Sequence, residues 1–87
     1  MEKETPQTRE EILAASLDAR VQEVMHYQIN IDNYTIALEI ISSLPPDERA
    51  ELLTFAEQLR GLLSSETIEQ KKAKIMLEVI RQQVGQG

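Results

Sequence analysis

The chain has 87 residues, which is room for one small domain with a single hydrophobic core. Its hydrophobic fraction of 41% and charged fraction of 28% are ordinary for a folded protein and exclude a disordered chain. The absence of cysteine excludes disulfides and thiolate metal sites, and the net charge of −6 disfavours a broad surface for nucleic-acid phosphates. Stability therefore has to come from helix packing or from association of copies.

The first helix is predicted to begin at Thr8. Thr8 and Glu11 have the spacing of a capping box, in which the hydroxyl and the carboxylate each satisfy a free backbone amide. The next strong breaker is Pro45-Pro46, and a residue that precedes proline is disfavoured in the helical conformation. One helix is therefore predicted over about residues 8–43.

Apolar residues recur along this helix at alternating steps of four and three. Eight of nine such positions are apolar, and the exception is Arg20. This spacing indicates a coiled-coil-like stripe, which we call the first stripe. It comprises Leu13, Leu17, Arg20, Val24, Tyr27, Ile31, Tyr34, Leu38 and Ile41. Because two shorter helices cannot cover it together with a second stripe, we expect the first stripe to join copies in a homodimer or higher oligomer.

The second stripe comprises Met25, Ile29, Ile36 and Ile40 and lies on the side of the helix away from the first stripe. A helix that is apolar on two sides must be covered on two sides. The second stripe occupies only the C-terminal half of the helix. We therefore expect it to be covered by the part of the chain that returns after the prolines.

The middle of this helix has an alternative interpretation. Residues 27–36 alternate apolar and polar side chains around Asp32-Asn33, a pattern that also fits a β-hairpin. A lone hairpin is marginal in water, and no third strand is predicted elsewhere. We therefore favour the helix. A break at residues 30–33 stays open, because Asn and Asp are poor helix formers.

Two shorter helices are predicted after the prolines, over about residues 46–63 and 66–84. Pro46 followed by two acidic residues is a typical helix start. Ser64-Ser65 is predicted to end this helix, since the following Thr67 and Gln70 have the spacing of another capping box.

These elements predict an all-α fold in which a long N-terminal helix, a proline turn and two shorter helices form a helical-bundle oligomer. We expect a disordered N-terminus at 1–7, a single helical domain at 8–84 and a frayed tail at 85–87. No stretch is apolar enough to span a membrane, and the N-terminus lacks the order of a signal peptide. We therefore expect a cytoplasmic protein without a membrane partner.

Few side chains are suited to catalysis, because the chain has one histidine, no cysteine and no glycine-rich phosphate loop. Glu23 and His26 stand three residues apart on one helix face, the spacing of two ligands in di-iron helical bundles. They lack an evident third ligand, and a solvated pair is the favoured interpretation. We therefore expect no enzymatic activity, no cofactor and no metal.

The charge is unevenly distributed, with −7 on residues 1–63 and +1 on residues 64–87. The last segment contains a candidate basic patch of Lys71, Lys72, Lys74 and Arg81. Binding of nucleic acid through this patch is disfavoured because aromatic platforms are lacking. A solvated helix face that packs beside an acidic body is the simpler interpretation.

The function that fits best is a small non-enzymatic homo-oligomer that binds another protein, as a regulator, inhibitor or adaptor in a bacterial or phage setting. The alternative is a nucleic-acid-associated transcriptional regulator or antitoxin-like protein that uses the basic last helix, and a di-iron bundle comes third. Residues 44–57 resemble the Leu-Pro-acid helix starts of bacterial antitoxins and repressor tails. That resemblance implies no function.

Overall fold

The computed structural model describes residues 8–85, which form three helices. Helix α1 covers Arg9–Ser42, α2 covers Pro46–Glu51 and α3 covers Leu53–Gly85. The described residues contain no strand, so the all-α fold is confirmed. None of these helices combines the length and apolar character that a membrane crossing requires. The predicted disordered segment 1–7 and residues 86–87 of the predicted tail lie outside the described residues.

The long N-terminal helix is confirmed, and it begins where the capping residue predicts. The Glu11 amide donates to Thr8 Oγ1 over 3.2 Å. The helix continues without a break through its polar middle, where side-chain hydrogen bonds support the weak helix formers. Gln28 Nε2 donates to Asp32 Oδ1 over 2.9 Å along the helix, and Asn30 Nδ2 donates to Glu66 Oε2 over 3.2 Å across to α3.

The chain reverses direction within a short turn after Ser42. The Ser43 amide donates to the carbonyls of Glu39 and Ile40, which closes the last turn of α1. Pro46 occupies the first position of α2, and two acidic residues follow it in the first turn, near the positive end of the helix dipole. Because the connection is so short, α3 must run back beside α1.

The helix boundaries after the prolines differ from the prediction. The interruption lies at Leu52, between α2 and α3, and α3 continues through Ser64 and Ser65. Thr67 does not cap a new helix, because its hydroxyl donates to the Leu63 carbonyl one turn earlier, over 2.7 Å. Serine and threonine tolerate a helix interior when the helix packs along its whole length, and packing of α3 on α1 overrides their local preference.

Helices α1 and α3 form an antiparallel hairpin. Three hydrogen bonds fix its register, from the open end to the middle: Arg9 with Gln83 at 3.5 Å, Gln28 with Gln70 at 2.8 Å and Asn30 with Glu66 at 3.2 Å. The described chain measures 67 × 34 × 15 Å. Since a helix with side chains is about 10–12 Å in diameter, the smallest dimension corresponds to a single layer of helices.

The first stripe faces α3 of the same chain. All nine of its side chains are buried or half-buried. Helix α3 presents its own stripe at steps of three and four, which comprises Ala56, Leu59, Leu63, Glu66, Gln70, Ala73, Leu77 and Ile80. Within the single chain the first stripe thus contacts α3, while the expected contacts between copies stay a prediction. The contact with α3 arises because α3 runs the whole length of α1 and offers it a stripe of the same spacing.

The core of the hairpin is small. A buried cluster of Ile41, Ala56 and Leu59 lies near the turn. Tyr34, Ala37, Leu38 and Leu52 pack against this cluster and are half-buried. Six apolar residues are buried among those described, and none of the large ones is completely enclosed. A core of this size is marginal for a chain of 87 residues.

Continuity of α3 can be tested with proline. Ser65→Pro removes an amide from the interior of α3 and clashes with the preceding turn, so we expect the free energy of unfolding to fall by about 3 kcal/mol or more. Arg9→Pro is the control, because Arg9 is the first residue of α1, its amide has no helical partner, and the preceding Thr8 has the extended backbone that proline requires. Urea unfolding followed by circular dichroism measures both. A harmless Ser65→Pro would mean that the helix is interrupted there.

Candidate protein-interaction surface

Large apolar side chains lie mainly on the outside of the hairpin. Among the described residues, thirteen are exposed by 41% to 64%, against six buried apolar residues in the core. The exposed set comprises Ile12, Met25, Ile29, Ile36, Ile40, Leu53, Phe55, Leu62, Ile68, Ile75, Met76, Val79 and Val84. Single exposed apolar residues are normal, but extended patches mark interaction sites.

The second stripe is uncovered in the single chain. Its four side chains are exposed by 53% to 59%. The expectation that the returning chain covers this stripe is therefore wrong. Helix α3 packs on the first stripe instead, because the first stripe runs the full length of α1 and the second does not.

One broad side of the hairpin is charged. Thr35 and Ser42 of α1 line the same groove as Leu53 and Arg60 of α3, which shows which helix faces share this side. Since residues seven apart lie on one line of a helix, the same side carries acidic residues on α1 and mainly basic residues on α3, where Glu57 and Glu78 accompany four cations. This charged face comprises Glu11, Asp18, Asp32, Glu39, Glu57, Arg60, Lys71, Lys74, Glu78 and Arg81.

The opposite broad side is mainly apolar. Arg9 and Gln83 meet there, and so do Asn30 and Glu66. The lines of side chains that flank these pairs carry six of the thirteen exposed apolar residues. This apolar face comprises Ile12, Ile40, Phe55, Leu62, Met76 and Val79. The hairpin is thus amphipathic as a whole, as well as along each helix.

A polar group interrupts the contact between the helices near the middle. Gln70 is 7% exposed, and its Nε2 donates to the Gln28 Oε1 at 2.8 Å and to the Val24 carbonyl at 3.3 Å. A buried polar side chain that finds partners in only one alignment favours one register over its alternatives. Gln70 therefore fixes how far α3 slides along α1.

A groove of about 510 Å³ lies on the charged face near the turn. Its floor is apolar and includes Leu38, Ile41 and Ala56, while Arg49 and Arg60 lie on its wall with Glu39. The groove contains no buried reactive group: both arginines and Glu39 are exposed. The apolar floor of the groove suits a bound apolar side chain better than it suits catalysis.

The tyrosines and the charged residue of the first stripe belong to the contact between α1 and α3. Tyr27 and Tyr34 are half-buried, and Tyr34 packs on the core cluster. Arg20 lies in the same stripe and donates to Glu23 Oε2 over 3.0 Å. These residues contribute to the hairpin and leave little of their surface for a partner.

Glu23 and His26 have no third candidate metal ligand beside them among the residues that the structure describes. Glu23 is engaged by Arg20, and His26 is exposed. Across residues 8–85, no three His, Asp or Glu side chains converge as a metal ion requires. The geometry of a di-iron bundle, which needs glutamates from further helices around the pair, is not assembled by these residues.

The four residues of the candidate basic patch do not share one surface. Lys71, Lys74 and Arg81 lie on the charged face, opposite the acidic line of α1. Lys72 lies on the other side of α3, where its Nζ is 3.0 Å from Glu69 Oε1. A nucleic-acid phosphate on the charged face would therefore lie beside carboxylates, which opposes binding.

No known protein family, curated protein or solved structure is significantly similar to this chain. Sequence reasoning missed the apolar face, although its signal was present. Phe55, Leu62 and Met76 are spaced by multiples of seven, beside a stripe of α3 that continues across Ser64-Ser65.

The role of Gln70 can be tested with an isosteric change. Gln70→Glu places a carboxylate against the Gln28 side-chain oxygen and the Val24 carbonyl, and it removes the only donor. We expect the free energy of unfolding to fall by about 2 kcal/mol or more at pH 7. Gln58→Glu, at an exposed position of the same helix, is the control and should stay within about 0.5 kcal/mol. Equal effects of the two changes in urea unfolding would contradict this role.

Proposed function

We propose that this chain is a non-enzymatic protein that self-associates and acts by binding another protein, as a regulator or adaptor. The observation that carries the proposal is the exposure of thirteen large apolar side chains on a hairpin that is one helix layer thick. Each such side chain contributes about 1.5–3 kcal/mol when it is fully buried. A hairpin with so small a core gains stability when other chains cover these residues.

The outer edge of α1, with Ile29 and Ile36 of the second stripe, is the surface that we assign to the partner protein. These two residues occupy one line of the helix, whereas Ile40 belongs to the apolar face and Met25 lies on the line of Asp18 and Asp32. A partner helix can bury such a line through residues of matching three-and-four spacing. Because this line is on an edge, a partner can reach it while a broad face of the hairpin is covered.

The distribution of charge argues for protein over nucleic acid as the partner. Acidic and basic lines run side by side on the charged face, and Lys72 and Arg81 lie within 4.0 Å of glutamates on their own helix. A phosphate-binding surface instead gathers cations without interleaved carboxylates. The alternative of a nucleic-acid-associated regulator therefore has no support from the arrangement of the lysines.

Self-association can be measured by light scattering. We expect a mass of twice 9.9 kDa or more at high micromolar concentration. The thermal midpoint should rise with protein concentration, because association stabilises the folded state by mass action. A mass of one chain at the highest concentration, with a thermal midpoint independent of concentration, would contradict self-association.

Partner binding can be tested on the outer edges of the two helices. Some proteins that cross-link to the wild-type chain in cells are expected to be missing from the cross-linked products of the Ile29→Glu/Ile36→Glu variant. The matched control is Ile68→Glu/Ile75→Glu, which changes two exposed isoleucines at the same spacing on α3. Mass spectrometry of the cross-linked products measures both. Unchanged products for the α1 variant, or their loss in the α3 variant only, would exclude the outer edge of α1 as the partner site.

A further inference from the structure

We infer that the apolar face is covered by a second copy of this chain, and that the two hairpins form a four-helix bundle in which their turns lie at the same end. This inference rests on the self-association proposed above and names the surface and the arrangement. Four observations support it: the difference between the two broad faces, the pairing of charges, the lengthwise pattern of the apolar face, and its area.

The two broad sides differ sharply in charge. On the charged side, the two lines of side chains that each helix presents carry ten Asp, Glu, Lys and Arg residues in total. The corresponding lines on the apolar side carry four such residues and His26. Interfaces between identical chains are apolar and depleted in charge at their centre. The apolar face therefore fits a second copy, and the charged face fits water.

The four charged residues on these apolar-side lines, Arg9, Glu23, Glu69 and Lys72, sum to zero, although the whole chain carries −6. The sum stays zero with Arg20 and Glu66, the charged residues of the two contact stripes beside them. Glu23 is paired with Arg20 and Glu69 with Lys72, each at 3.0 Å. Arg9 hydrogen-bonds to Gln83. Covering a charge is costly when no opposite charge or hydrogen-bond partner accompanies it. Here each charged group retains its partner when the face is covered.

Along its length, the apolar face has an apolar group at each end and polar residues between them. Ile40, Phe55 and Leu62 lie toward the turn, and Ile12, Met76 and Val79 lie toward the open end. Polar residues occupy the middle, between these two apolar groups. Either two-fold axis in the plane of this face, along the helices or across them, brings apolar residues against apolar residues and polar residues against polar ones. The pattern therefore supports this face as the interface, and the charges in its middle decide the arrangement.

The two-fold axis along the helices matches the charges in the middle. It lays α1 of one copy over α3 of the other. The hairpin register places Glu23 level with Lys72, and His26 level with Glu69. Across the two-fold axis, each anion of one copy therefore lies near a cation or an imidazole of the other. An axis across the middle of the helices would instead bring Glu69 of the two copies together, so the charges favour the axis along the helices.

The area is sufficient for a stable dimer. Two helices of 34 and 33 residues are each about 50 Å long and about 10 Å wide. Side by side they offer a footprint of about 1,000 Å² per copy, above the roughly 800 Å² that a standard interface buries on each partner.

The surface is tested with paired variants on α3. Leu62→Glu/Met76→Glu places charges on the apolar face, and Ile68→Glu/Ile75→Glu places them on the outer edge. All four side chains are exposed in the single hairpin, so circular dichroism should report the same helix content for both variants. We expect sedimentation equilibrium to show dimerisation weakened at least 100-fold by the first variant, and unchanged by the second.

The relative direction of the two hairpins is tested separately, by the distance between two spin labels. Because the chain has no cysteine, Asp47→Cys gives a single spin label near the turn. With both turns at the same end, pulsed electron resonance should find the two labels about 20–30 Å apart. Turns at opposite ends would separate them by about 50 Å or more, the length of the helices.

Each outcome decides a different point. Loss of the dimer only in the Ile68→Glu/Ile75→Glu variant would overturn the apolar face as the interface, while self-association would stand. A label distance near 50 Å would overturn the arrangement, even if the first variant fails to fold. A wild-type protein that stays monomeric would overturn the proposed self-association and this inference together.

Discussion

The short reversal between α1 and α3 determines most of this structure. Only Ser43, Leu44 and Pro45 separate α1 from α2, and α2 leads into α3 after one further residue. Two helices of more than 30 residues must then lie side by side over their whole length. Each helix can bury only one of its apolar sides against the other helix. The remaining apolar surface is a consequence of that geometry, not of loose packing.

The long first helix could be predicted because several local signals agree. Thr8 caps it, the prolines end it, and the first stripe persists across the weak helix formers at residues 30–33. The break at Ser64-Ser65 was mispredicted because it relied on local preferences alone. Packing on α1 keeps α3 helical there, and such packing depends on residues distant in the sequence.

The candidate surface was harder to predict than the fold. Two stripes on α1 were visible in the sequence, but the pattern does not say which stripe α3 covers. That choice depends on the match between two helices: the stripe of α3 has the spacing of the first stripe and carries Gln70, whose partners lie on α1 at Val24 and Gln28. The division of the hairpin into a charged and an apolar face appears only once the register is known.

The charged face also limits how the proposed assembly grows. A two-fold pairing through the apolar faces is closed, because each copy uses the same surface that it covers. The charged faces then point outward on both sides of the bundle. Because the same charges would meet when two dimers stack on these faces, the faces favour contact with water. The outer edge of α1, with Ile29 and Ile36, is left accessible at two places related by the two-fold axis. A dimer built in this way presents its partner-binding edge twice, which raises the apparent affinity for a partner that is itself dimeric or repetitive.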